Sequence, residues 1–110
     1  KNKLLLTGDL SFEGEAILLK RFPHRFRATV LKVGHHGSNY STGMPFLTQV
    51  KPSLAVISAG EANRFGHPGS ANLQRLRSLG VRVYRTDRQG QIDLRVYRER
   101  LVATTEKGGF

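Results

Sequence analysis

Three short apolar runs, KLLLTGD at 3–9, ATVLKVG at 28–34 and SLAVISAG at 53–60, each close on a glycine-bearing turn and stand about a helix's length apart. Runs this short, rich in Leu, Val and Ile and bounded by turn residues, are the pattern of buried strands. The segments between them read as helices. SFEGEAILLKRF (11–22) offers Ser11 as an N-cap, Glu13 and Glu15 in the first turn, and Lys20 and Arg21 in the last. That charge order follows the helix dipole; Gly14 weakens the helix and Pro23 ends it. GMPFLTQV (43–50) is a short helix with Pro45 in its first turn. EANRFGHPG (61–69) is a loop by its Asn, Gly and Pro content. SANLQRLRSLG (70–80) is the clearest helix, with Ser70 to cap it, Leu73, Leu76 and Leu79 at helical spacing, and Gly80 to stop it.

VRVYRT (81–86) and GQIDLRVYR (90–98) alternate apolar and polar residues around DRQG and predict a β-hairpin; ERLVATTEKGGF adds a further strand or frays. This order predicts an α/β layered domain, with function in the loops at the strands' C-terminal ends. Asp9, the pair His35 and His36, and His67 each follow an apolar strand, so parallel neighbouring strands would bring them to one edge. The 110 residues include no cysteine, which leaves His, Asp and Glu as the available metal ligands; carboxylate oxygen and imidazole nitrogen suit zinc, manganese or iron. Gly8, Gly37 and Gly66 would let the backbone come close to an ion or a phosphate. His24, between Pro23 and Arg25, reads as a surface residue.

Eighteen Lys and Arg against eight Asp and Glu give a formal charge of +10, a field that attracts polyanions, nucleic acid foremost. Arg82, Arg85, Arg88, Arg95 and Arg98, with Arg100, crowd the expected hairpin, where alternation would put several on one solvent face, able to pair with phosphates. Tyr84 and Tyr97 offer no convincing stacking platform. No run of about 18 apolar residues is present, so this segment is not expected to span a membrane.

The motifs LLLTGD, LKVGHHGS, NRFGHPG and VYRTDRQGQI resemble, in order and spacing, the C-terminal half of the metallo-β-lactamase-fold domain of ComEC-type competence proteins, which internalise DNA in natural transformation. The similarity covers roughly residues 3 to 94. The resemblance implies an αββα sandwich, of which residues 1–110 would form one partial domain: a mixed sheet, flanking helices and a C-terminal β-hairpin. It implies that Asp9 bridges two divalent metal ions, zinc or manganese, and that His67 is a ligand of the second. His35, with Ser38 three residues on, resembles the His-x-x-Ser/Thr element of phosphodiesterases of this superfamily, and either His35 or His36 would serve the leaving oxygen. The signature His-x-His-x-Asp-His, which supplies most ligands of the first metal, is absent from all 110 residues. The expectation is therefore a piece of a two-metal nuclease domain. Its expected partners are DNA, the rest of its own domain and the membrane channel of an inner-membrane protein, with no small-molecule cofactor and with the domain on the extracytoplasmic side. Alone it is expected to bind metal weakly and to lack nuclease activity. The alternatives are a non-catalytic basic DNA-binding module of the same channel, and a small-ester or lactone hydrolase, against which the charge argues.

Overall fold

The computed structural model describes residues 2–60 and 66–108. Four strands, β1 (Leu4–Leu6), β2 (Val30–Lys32), β3 (Leu54–Ile57) and β4 (Arg82–Arg85), pair in the order β1-β2-β3-β4, all parallel. Their connections carry α1 (Phe12–Arg21), α2 (Met44–Val50) and α3 (Ser70–Ser78). Sequential parallel strands joined by crossovers of one hand place every helix on the same face of the sheet. The core agrees with this. Leu31, Val33, Ala55 and Ile57 pack with Phe46, Leu47 and Val50 of α2 and Leu73 and Leu76 of α3, and Leu5, Leu19 and Val83 join them.

The alternate residues of the strands face the other way. Val30, Leu54, Val56 and Tyr84 pack against Ile92, Leu94, Leu101 and Ala103 of an antiparallel pair, β5 (Ile92–Val96) and β6 (Leu101–Thr105). The register puts Leu4 and Leu6 of β1 on this same face, opposite Val30 and Lys32, yet they are 52% and 69% exposed. The β5–β6 pair covers β2 to β4 and leaves the apolar face of β1 open.

The sheet is purely parallel rather than mixed, and VRVYRT does not pair with GQIDLRVYR. Instead β4 takes the edge beside β3 in four register pairs, while Thr86–Gln89 winds into a short helix, α4. The physical reason lies in DRQG. A two-residue hairpin turn needs left-handed backbone at its centre, and the segment's glycine, Gly90 (φ 70°), comes only after the helix. Hydrogen bonds fix α4: the Gln89 side chain accepts the Arg85 N–H, and Thr86 Oγ1 accepts from Ala59 N (2.9 Å) and donates to Ala59 O (3.0 Å). The expected C-terminal hairpin forms one strand later, β5 with β6, closed by Tyr97 N–H donating to Arg100 O at 2.8 Å. In α3, Gly69 rather than Ser70 is the N-cap, and Leu79 beyond its end is 41% exposed. No helix among the described residues is long and apolar enough to cross a membrane.

Candidate active site at the C-terminal edge of the sheet

Parallel pairing delivers the loops after β1, β2 and β3 to one edge. The β2 loop enters it through a left-handed turn: His35 (φ 52°, ψ 41°), His36 (φ 54°, ψ 26°) and Gly37 (φ 80°) are consecutive residues with positive φ. Two non-glycine residues in succession there cost on the order of 1 kcal/mol each, and strain of this kind concentrates at functional sites. The turn is held at both ends. His35 N–H donates to Gly8 O at 2.8 Å, tying it to the Gly8-Asp9 turn after β1, and Gly69 N–H donates to Gly37 O at 2.8 Å, tying it to the segment before α3. The His67–Pro68 peptide of that segment is cis.

These ties bring two imidazoles side by side: the His35 and His67 rings stand 6.0 Å apart, nearly perpendicular. His35 is exposed and His67 half-buried. His36, also exposed, is anchored differently, its Nδ1 lying 2.8 Å from Ser58 O at the end of β3. A carbonyl can only accept, so His36 carries its proton on Nδ1 and turns Nε2 outward. The two adjacent histidines thus have unequal surroundings. Asp9 is exposed, one residue beyond the carbonyl that binds His35. Among the described residues no three His, Asp or Glu side chains converge closely enough to hold a metal ion.

Ser38 is buried, and its Oγ accepts the Tyr40 N–H at 3.2 Å, so its hydroxyl shapes the turn. The loop it opens, residues 38–43, is bonded at every position by groups that the sequence did not single out. Asn72 Nδ2 donates to Ser38 O (2.8 Å) and Ser41 O (3.1 Å). Arg75 donates to Asn39 O (2.8 Å), Ser41 O (2.9 Å) and Thr42 O (2.9 Å). Tyr40 O accepts the Phe12 N–H at 2.8 Å. The Glu15 carboxylate, from α1, accepts the N–H groups of Thr42 and, at 2.8 Å, of Gly43. Burial pushes the Glu15 carboxyl above its ordinary range, against the opposing pull of those two N–H groups and of Arg75. Asn39 reaches the other way, its Oδ1 accepting from Ala71 N (3.0 Å) and Asn72 N (3.3 Å) at the start of α3.

Asn72 is fully buried and its Oδ1 has no partner among the described residues. Asn72→Ala removes the donor to Ser38 O but also that orphaned oxygen, and Arg75 still serves Ser41 O. The net loss of stability is therefore expected at only about 1 kcal/mol, read as the shift of a urea unfolding midpoint. A loss of 3 kcal/mol or more would show that the orphan oxygen has a partner in solution.

The arginines expected on one hairpin face are distributed. Arg85 and Asp87 form a bidentate pair, 3.0 and 2.7 Å, and Arg82 lies over the Tyr84 ring at 5.6 Å. Arg82, Arg85 and Arg88, joined by Arg77 of α3, line an open groove of about 290 Å³ along β4. Its Arg85 and Arg88 end lies at the same edge of the sheet as the histidines. Arg95 is exposed on β5, and Arg98 lies in the β5–β6 turn. That turn is at the opposite end, where Asn2 Nδ2 donates to Tyr97 O at 3.4 Å.

The chain matches no family model, and no solved structure matches it. It is 50% identical over 97 residues to ComE operon protein 3 of Bacillus subtilis, covering 88% of this chain and 12% of that protein. To competence protein ComA of Neisseria gonorrhoeae it is 43% identical over 89 residues, 81% of this chain and 13% of the relative. To recombination protein 2 of Haemophilus influenzae it is 37% identical over 101 residues, 92% of this chain and 12% of the relative. Along four-fifths or more of its length the chain is thus similar to a segment of competence-related proteins, and it spans about one-eighth of the length of these relatives.

Proposed function

We propose that this chain is part of a DNA-uptake protein and forms half of a metallo-β-lactamase-type domain that hydrolyses phosphodiester bonds in incoming DNA. The observation that carries this reading is the left-handed His35-His36-Gly37 turn, which sets His35 against His67 and the Gly8-Asp9 turn, and His36 against the end of β3, at one edge of a parallel sheet. The names of the relatives supply the context of competence, and the formal charge of +10 suits a polyanionic substrate. The open apolar face of β1 is where the remainder of such a domain would pack, Leu4 and Leu6 being its contact residues.

Asp9, His35 and His67 have the donor chemistry for zinc or manganese, but the described residues do not form a closed set. The remaining ligands would come from the rest of the protein. The work of this chain's own residues is narrower. His36, protonated at both nitrogens, gives the Nε2 proton to the leaving oxygen while Nδ1–H stays bonded to Ser58 O, which keeps the ring aimed. Arg88, Arg82 and Arg77 bind flanking phosphates along the β4 groove, with Arg85 held in place by Asp87. On this reading the domain lies on the extracytoplasmic side of a membrane channel and receives DNA before transport.

A second reading, a binding module that holds DNA without cutting it, rests on the arginine-lined groove along β4 and the formal charge of +10. One experiment separates them: hydrolysis of end-labelled DNA by the intact protein with added Mn²⁺ or Zn²⁺, beside binding of the same DNA. The enzyme reading expects cleavage that falls about a hundredfold in Asp9→Ala, His36→Ala and His67→Ala, with binding retained. Binding without cleavage under every divalent ion leaves the module reading standing.

A further inference from the structure

We propose that Tyr40 is a nucleobase-stacking residue, so that the site takes single-stranded nucleic acid and reads an unpaired base next to the phosphate at the histidine turn. The proposal rests on the functional reading above and adds a subsite to it. Tyr40 is 74% exposed, the most open of the large apolar and aromatic side chains of the described residues. Its backbone is nevertheless fixed, since every residue from Ser38 to Gly43 has a backbone group bonded within the loop or to α1 or α3. A solvent-facing aromatic ring on an immobilised loop loses little conformational freedom when a flat ligand covers it.

The surroundings suit a base. The Phe12 ring meets Tyr40 edge-on, centroids 6.3 Å apart at 75°, and fixes one side of it, while Arg75 lies 5.2 Å over Phe12 and adds a cation to the cluster. Tyr40 is four residues from His36, a span of at most about 14 Å of extended chain and less through these tight turns. A nucleotide with its phosphate at His36 can therefore place its own base or the next one over Tyr40. A base paired inside a duplex offers no open face, so a stacking residue here selects unpaired strands.

The test is binding of the intact protein to two fluorescein-labelled single strands of equal length and phosphate count, one normal and one wholly abasic. The wild type is expected to bind the normal strand more tightly. Tyr40→Ala is expected to weaken normal-strand binding about five- to tenfold and leave abasic binding unchanged, while Tyr40→Phe, which keeps the ring, behaves as wild type. Equal affinity of wild type and Tyr40→Ala for the normal strand overturns the stacking role, as does an equal loss on both strands. If the wild type binds neither strand, the DNA-acting reading itself falls, and the stacking subsite with it.

Discussion

Gly37→Ala is expected to destabilise the fold by about 3–5 kcal/mol and to abolish whatever activity the edge supports, because two independent costs meet at this position. The first is conformational. At φ 80° an alanine adopts backbone that L-residues rarely occupy, a penalty of about 1–2 kcal/mol. The second is contact. A Cβ at Gly37 would stand 2.6 Å from Pro68 Cβ, 3.1 Å from Pro68 Cα and 3.3 Å from Ile57 Cγ2. Pro68 is a ring fused to the backbone and cannot swing aside, so relief requires the His67-Pro68 segment to move. That movement breaks the Gly69 N–H to Gly37 O bond and separates the His35 and His67 rings. Gly66 supplies the control. Its φ is 68° but nothing lies within 4 Å of the added Cβ, so Gly66→Ala pays the conformational cost alone, about 1 kcal/mol. Urea unfolding of both variants measures the difference. Should Gly37→Ala prove no worse than Gly66→Ala, the close approach of Pro68 is not part of the folded state.

The same glycine shows which parts of the site could be read in the sequence. Each of the three edge loops follows directly on an apolar run, and parallel pairing follows from helix-length spacing, so the gathering of Asp9, His35, His36 and His67 at one edge was legible from local pattern alone. The failures lie where a partner distant in the chain decides the outcome. Glu13 and Glu15 look alike as acids in the first turn of α1, but Glu13 is exposed and Glu15 is 4% exposed, because the loop at Thr42 and Gly43 closes over one and not the other. Asn72 and Arg75 read as polar positions of an amphipathic helix; their inward role depends on carbonyls more than thirty residues earlier. DRQG departs from its local turn signal for the related reason that β4 pairs with β3, a long-range partner that overrides it. Residues 61–65, which include the first three residues of the NRFGHPG motif, lie outside the described residues.

Glu15→Ala is the other substitution with a large expected effect, about 3–5 kcal/mol, because it removes the acceptor from two buried N–H groups at once. Thr42 has φ 61°, and the successive N–H groups of Thr42 and Gly43 point together as a small anion-binding concavity that the Glu15 carboxylate fills. Without it both donors stay buried and unpaired at about 1–3 kcal/mol each, and Arg75 loses its nearby counter-charge while keeping its carbonyls. The loop carrying Ser38 and Tyr40 then keeps its bonds to α3 but only the Phe12 N–H to Tyr40 O bond to α1. Glu15→Gln is milder, since the amide oxygen serves one N–H while its NH₂ meets the other donor. It also isolates the titration. Burial raises the folded carboxyl above the ordinary value of 4.5, so the titration-linked part of the Glu15 contribution is fully present below the unfolded pKa and is lost as pH rises through the folded one, while the two N–H bonds remain. The stability gap between wild type and Glu15→Gln should therefore narrow from pH 4 towards pH 8, seen as converging urea midpoints. A gap that widens over that range would mean that the two N–H groups and Arg75 outweigh burial, and that the carboxyl in the folded protein lies below its ordinary value.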